Sequence, residues 1–411
     1  MTGLDATPNR SIGHRSATVR RTNLTAILTS LHLDGPASRS ELVARTGLTR
    51  GAVGALVGAL CDRGLVVEEP AVPDGNPGRP SPMARTRAAD NAVLAMNVLV
   101  DSIAVAAIGL GGTVLALERV ERARSRRPVD DTIDDLVALT GDVTAALSTS
   151  CTIHAVGVAV AGIVRQVDGT LVVAPNLGWT HVPLGALLAE ALDLGASVEG
   201  ANEGDLGALG ESRRGVGRDV ADLLYVSGEV GVGGGIISDG RRLTGPNGFA
   251  GEVGHVPVNP EGAPCNCGAV GCWETEVGED ALLRRAGRDP AEGPAGIDRL
   301  LADAARGEAG ARTALDLHGR WLGIGLAGLL NLFTPSVVVL GGLFERIHPF
   351  VVDAIQRELA ARTLTAAREG VTVAPSALGV DASLFGAAEL AWDRVLRDPG
   401  ALPVRLDEAL G

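Results

Sequence analysis

The chain has 411 residues, 46% hydrophobic and 21% charged, which excludes wholesale disorder and leaves room for two or three folded units of about 150 residues. All 36 basic residues are arginine, so any chemistry that requires a lysine, from a P-loop to a Schiff base, is excluded. The net charge of −13 excludes a general nucleic-acid coat, but residues 1–90 carry 11 Arg against 8 acidic residues, so one small basic segment precedes an acidic body.

Residues 1–21 read as a polar, Arg-rich arm without the apolar core of a secretory signal. Leu24, Ile27, Leu28 and Leu31 then fall at i, i+3, i+4, i+7 and predict a helix over 22–33. A second, short helix is expected from Ser40 as its N-cap, with Leu42 and Val43 inward. Thr46-Gly47-Leu48 is a tight turn. A third helix follows from Thr49, where Val53, Leu56, Val57 and Leu60 repeat the helical spacing. Leu65-Val66-Val67 reads as a strand, 73–80 as a loop, and 83–87 as the returning strand. Residues 22–90 are thus expected to form a winged helix-turn-helix.

From about 91 the pattern changes. Strand-like runs at 93–100, 103–110 and 113–119 are followed by helical stretches alternating with strands (131–147, 155–161, 184–193, 222–227, 233–237, 311–332, 336–340, 350–362 and 371–374). Such alternation predicts an α/β body in two lobes over 91–397, with a tail at 398–411. The most apolar stretch, 321–344, is interrupted by Asn331, Thr334, Pro335 and Ser336, which suits a buried helix and strand better than a membrane span. Three of the five cysteines crowd between 265 and 272, unlike a disulfide framework, and the expected location is the cytoplasm.

In a helix-turn-helix the N-terminal residues of the second helix reach base edges in the major groove. Those residues are Thr49, Arg50, Ala52 and Val53. Arg50 is the one long donor for a guanine edge. Ser40 and Thr49 offer hydroxyls to phosphates, and Arg79 sits where a wing would approach the backbone. The basic balance, the turn and the hairpin favour an operator in double-stranded DNA as the partner. A helical dimerisation or capping module is the other use of such a segment.

Cys265, Cys267 and Cys272 lie within eight residues of one another, and His255 precedes them by ten. Three thiols and one imidazole suit tetrahedral zinc, and four protein ligands close the coordination shell, so the ion would be structural. Reduced buried cysteines or a redox pair are the alternative. Cys61 and Cys151 lie far off in apolar settings and read as core residues.

The stretches AGEVGH (250–255), CNCGAVGCWE (265–274), APNLGW (174–179), ANEGDLGALGE (201–211), PSVVVLGGLF (335–344) and LGVDASLFGAAELA (378–391) make the chain resemble the ROK (repressor, open reading frame, kinase) family over roughly 90–395. The winged helix resembles that of its repressor branch. The resemblance implies a two-lobed, actin-like ATPase fold and a homodimer or homotetramer. It also implies a monosaccharide or sugar-phosphate site formed by Asn202, Glu252, His255 and Glu274, with Gly162 close by and Glu203 at the position of the kinases' catalytic Asp. A metal on one nitrogen of His255 would fix its tautomer and direct the other.

Set against the kinases of the family, three positions depart. Asn97-Val98-Leu99-Val100-Asp101 stands where they carry Asp-x-Gly-Gly-Thr, and Glu229-Val230-Gly231 where they carry Gly-Thr-Gly. Both changes put a carboxylate near ATP's phosphates, and Glu203 is one methylene longer than the catalytic Asp. The expectation is a non-enzymatic, sugar-responsive DNA-binding repressor. The alternatives are an ATP-dependent hexose kinase with an appended DNA-binding module, and a repressor whose partner is a transporter component.

Overall fold

The computed structural model describes residues 11–70 and 82–404. Helix α1 (Ser11–Asp34) buries Leu24, Ile27, Leu28 and Leu31 as their spacing requires. It starts inside the expected arm. No proline interrupts 11–34, so the turn nucleated on the packed second half propagates backwards at little cost per residue. β1 (Ala37–Ser38), α2 (Arg39–Thr46), α3 (Arg50–Cys61), β2 (Val66–Glu69) and β3 (Met83–Thr86) follow, and the three strands form an antiparallel sheet in the order β1-β3-β2. Together they make a winged helix-turn-helix. The N-cap of α2 is Ser38, not Ser40: its hydroxyl accepts the Glu41 N–H at 3.2 Å, and the Glu41 carboxylate accepts the Ser38 N–H at 2.7 Å. Only a start at 38 places a glutamate three residues on, which completes a capping box. Gly47, at φ 69°, ends α2, and Thr49 caps α3 by accepting the Ala52 N–H at 3.3 Å. The wing tip with Arg79 lies outside the described residues.

The first lobe is built on β4 (Asn91–Val98), β5 (Ser102–Gly109), β6 (Val114–Glu121), β7 (Thr152–Val160) and β11 (Ser197–Asn202), in the order β11-β7-β4-β5-β6. Every residue of β4 and β5 is buried, because helices cover both sheet faces. α4 (Val129–Ala145) and α5 (Leu184–Leu192) pack on one face. A small antiparallel sheet, β8 (Ile163–Arg165), β9 (Thr170–Ala174) and β10 (Trp179–Val182), leaves the end of β7 and borders the cleft.

α6 (Glu203–Arg214) leads into the second lobe, where β12 (Leu223–Gly228), β13 (Val232–Ser238), β14 (Arg241–Arg242), β15 (Val337–Gly342) and β16 (Thr372–Pro375) take the order β14-β13-β12-β15-β16. The two sheets share one topology: three antiparallel strands in sequence, then two further strands parallel to the first of them. The strand order displays a duplicated core. Between β13 and β15 the chain forms α7 (Trp273–Val277), α8 (Glu279–Arg285), α9 (Gly293–Ala305) and α10 (Ala309–Phe333). After β15 come α11 (Leu343–Arg362) and α12 (Thr365–Arg368), and α13 (Ala382–Arg397) follows β16. α6 packs on β12 and β13, α13 packs on β4 and β7, and the two helices lie against each other between the sheets. This is the two-lobed, actin-like arrangement.

The winged helix shares its core with α13: Trp392, Val395 and Leu396 join the apolar cluster of Leu24, Ile27 and Leu31. The expected tail does not start free at 398. Pro399 is buried, and the Gly400 carbonyl accepts from Arg63 at 3.3 Å, because the turn Pro399–Ala401 docks on α1. Among the described residues, no helix is long and apolar enough to cross a membrane.

Candidate functional site

His255 ends a short 3-10 turn (Val253–His255) after β13, and Cys272 immediately precedes α7. The 265–268 turn is closed by Gly268 N–H to the Cys265 carbonyl at 3.0 Å, and Gly268 and Gly271 take φ of 93° and 71°, which a Cβ would strain. The Cys267 and Cys272 sulfurs are 3.6 Å apart, Cys265 Sγ stands 3.7 Å from His255 Nδ1, and all four ligand atoms lie within 4.8 Å of one another. A tetrahedral ion with metal–sulfur bonds of about 2.3 Å and metal–nitrogen bonds of about 2.0–2.1 Å separates its ligands by roughly 3.5–3.8 Å. The donor set therefore fits a metal ion. Cys61 and Cys151 take no part in the cluster.

The same knot faces the cleft between the lobes, a cavity of about 690 Å³. Gly162, Asn202, Glu203, Glu252, His255 and Glu274 all line it, although 112 positions of sequence separate the first from the last. Asn202 is fixed twice over. Its Oδ1 caps α6 by accepting the N–H groups of Gly204 at 2.7 Å and Asp205 at 3.2 Å, and its Nδ2 donates to the Gly162 carbonyl at 3.1 Å and to Glu203 at 2.8 Å. His255 presents Nδ1 to the thiols and stands with Nε2 3.9 Å from Glu252. Glu274 accepts from the Cys265 thiol at 2.8 Å. α7 holds Glu274 in place because Trp273 beside it is fully buried and donates to the Trp321 carbonyl at 2.9 Å. The surrounding protein pushes the Glu203 carboxyl up to about 8, through burial first and then the charges of Glu252 and Glu229. Asn176 also lines the cleft and was not singled out from sequence, although it lies in the APNLGW stretch.

Asp101 and Glu229 also line the cleft. Arg124, from the segment after β6, donates to Asp101 at 3.1 Å and to Glu279, at the start of α8, at 3.2 Å. A guanidinium thus joins a carboxylate of each lobe. Burial, with Asp101 adding, raises the Glu229 carboxyl to about 7. Arg124 carried no signal in sequence, where it sits in an ordinary run of arginines.

On the winged helix, Ser40, Thr49 and Arg50 are exposed on one side, and Arg50 Nη2 donates to Ser40 Oγ at 3.2 Å. Val53 is fully buried and takes no part in that surface, since the apolar stripe of α3 needs it inward. Arg79 lies outside the described residues.

The ROK family model matches residues 93–394. The xylose repressor of Bacillus subtilis is 28% identical over 379 residues, which span 92% of this chain and 97% of that protein. A glucokinase of Streptomyces coelicolor is 31% identical over 307 residues, 69% of this chain and 96% of the enzyme. Among solved structures, a ROK family transcriptional regulator described as a homolog of the E. coli MLC protein superposes with a TM-score of 0.75 over 92% of this chain and 97% of that one, at 24% identity. The extent of the family match, on a body with this duplicated topology, establishes that the chain belongs to the ROK family.

Proposed function

We propose that the chain is a sugar-responsive transcriptional repressor that binds operator DNA through its winged helix and a monosaccharide in the cleft. The observation that carries this reading is the pairing, in one chain, of a capped recognition helix with a ROK body. Relatives aligned over nearly the whole chain are named xylose repressors, whereas the glucokinase aligns over 69% of it. Glu203, Glu252, His255, Glu274, Asn202 and the Gly162 carbonyl supply donors and acceptors for vicinal hydroxyls. Zinc on His255, Cys265, Cys267 and Cys272 would fix the imidazole tautomer and brace the 255–272 element. Among sugars, an uncharged one is favoured over a phosphate ester. Asp101, Glu252 and Glu274 all line the cleft, and each ionised carboxylate about 4 Å from a phosphate costs about 1 kcal/mol in water and about 4 kcal/mol at an effective dielectric of 20.

Two features weigh against phosphoryl transfer. Asp101 and Glu229 stand at the positions of the kinases' two phosphate loops and both line the cleft, so two carboxyl groups would face ATP's phosphates. Glu203 is one methylene longer than the kinases' catalytic Asp, which shifts its carboxyl relative to the sugar hydroxyl a base must reach. A cytoplasmic homodimer would present two winged helices to an inverted-repeat operator. The test is selection of a binding site from random-sequence DNA with the full chain, then operator titrations with and without a panel of monosaccharides and their phosphates. The reading expects an inverted repeat whose affinity responds to an unphosphorylated sugar. Sustained phosphoryl transfer from ATP to a hexose, abolished in Glu203→Gln, would overturn it in favour of a kinase.

A further inference from the structure

α6 has one end in the cleft and the other on the DNA-binding unit. Its N-cap, Asn202, and its first residue, Glu203, line the cleft. Ten and eleven residues after Glu203, about 15–17 Å along the axis, come Arg213 and Arg214. Arg214 Nε donates to Glu389 of α13 at 2.7 Å, and its Nη1 donates to the carbonyls of His32 and Gly111, both at 3.0 Å. Arg213 reaches Glu389 at 3.2 Å and Asp393 at 2.7 Å. Just past the helix, Arg218 donates to the Leu33 carbonyl at 2.9 Å. His32 and Leu33 form the last turn of α1, whose carbonyls lack helical partners and carry the negative end of the helix dipole. Guanidinium groups from α6 and the turn after it supply the missing donors.

His32 is itself 1% exposed, as is Glu389. Its Nδ1 stands 2.9 Å from the Gly111 N–H, and its Nε2 lies 3.1 Å from Glu389 and 2.6 Å from Arg214 Nη2, so the ring is held by α13, α6 and the 109–112 turn at once. Burial alone would raise the Glu389 carboxyl, but His32, Arg214 and Arg213 outweigh it and hold the group well below the usual carboxylate range. The charge stays on and the cluster stays locked.

The helix between the two ends has no slack. Residues Gly204 to Glu211 are all buried. A methyl on Gly210 would strike the Ala382 carbonyl, and one on Gly386 the Leu206 carbonyl, so α6 and α13 touch backbone to backbone. Close-packed elements pass a displacement on as a body, and α1 in turn packs on α2 and α3.

We propose that α6 is the coupling element through which the cleft acts on the winged helix, with Arg214, Glu389 and His32 as positioning residues outside both binding surfaces. This rests on the sugar-responsive reading above. A sugar that favours one placement of α6 then changes DNA affinity by the same factor by which DNA changes sugar affinity.

The experiment uses the full chain, the DNA selected by the wild type, and D-xylose and D-glucose as probes. For each variant it measures the sugar Kd by calorimetry, the sugar-free DNA Kd by anisotropy, and the ratio of DNA Kd values with and without sugar. In Arg214→Met that ratio should fall to near one, with the other two constants within a few-fold of wild type. Arg214→Lys, which keeps one charge for Glu389 but cannot also serve both carbonyls, should restore part of the ratio. Should Arg214→Met fail to fold, His32→Asn carries the same test, since it keeps an acceptor for the Gly111 N–H and cuts the tie to Glu389. A full sugar response in folded Arg214→Met and His32→Asn overturns the proposal. So does a lost response matched by an equal loss of sugar-free DNA binding, which is what a merely structural role would give. A wild type whose DNA affinity ignores both sugars and the rest of the monosaccharide panel instead removes the sugar-responsive reading, and the coupling falls with it.

Discussion

Replacing Arg124 by methionine should destabilise the chain by more than an ordinary surface ion pair. Asp101 is 26% exposed, and its pair with Arg124 alone would be worth about 0–1 kcal/mol. Glu279 is only 6% exposed, and stripping the partner from a buried carboxylate costs about 3–5 kcal/mol. Glu279 also sits in the first turn of α8, where the helix dipole returns about 0.3–1 kcal/mol to an orphaned anion, and Arg124 itself is only three-quarters buried. The expected loss is therefore about 2–3 kcal/mol, a fall in melting midpoint of about 4–12 °C by the scaling for large domains. Calorimetry on wild type, Arg124→Met, Glu279→Gln and the double variant measures it. The double variant should be less destabilised than Arg124→Met alone, because no buried charge is left unpaired. A loss below about 0.5 kcal/mol in Arg124→Met, the ordinary scatter of surface substitutions, would refute the interlobe bridge, as would strict additivity in the cycle.

Purified protein should contain about one zinc per chain by elemental analysis, and Cys267→Ser should lose it, since the fourth ligand closes the site. Arg50→Ala should weaken operator binding by about 1–3 kcal/mol, read by anisotropy on the selected site, if its guanidinium leaves Ser40 for a guanine edge. The raised Glu203 carboxyl gives a pH signature: between an unfolded pKa of about 4.3 and the folded value of about 8, the folded chain holds a proton that the unfolded chain has released. This site's contribution to stability therefore falls as pH rises through that window. Glu203→Gln should accordingly melt above wild type at pH 8 and close to it near pH 4.5, and an unchanged difference between the two would contradict the assignment.

The winged helix was readable because its stripes are made of large side chains at helical spacing: Leu24 to Leu31 and Val53 to Leu60 are buried as their period demands. The start of α2 was misjudged by two residues, since Ser38 and Ser40 are both capping residues and only the bond from Glu41 separates them. α6 escaped the periodic reading for a different reason. Gly204, Gly207 and Gly210 occupy positions where a helix normally buries a large side chain; Gly204 and Gly210 pack against backbone and Gly207 against the Tyr225 ring, which leaves no hydrophobic period. The metal ligands were visible in local spacing. The rest of the cleft was not: Gly162, Asn202 and Glu252 became a set only through resemblance, because folding alone brings them together. Arg124 shows the limit most clearly, since nothing short of the folded lobes joins positions 101, 124 and 279.

The sugar-responsive reading is tested most directly by operator titration of Glu252→Ala, with and without the sugar that acts on the wild type. Glu252 lines the cleft and stands 3.9 Å from His255 Nε2, on the side away from the thiols, so its removal takes an acceptor from the sugar and leaves all four metal ligands in place. The variant should keep its zinc, bind operator like the wild type, and lose the change in affinity when sugar is added. A Glu252→Ala protein that still responds to the sugar as the wild type does would place the effector elsewhere and contradict the assignment of the cleft.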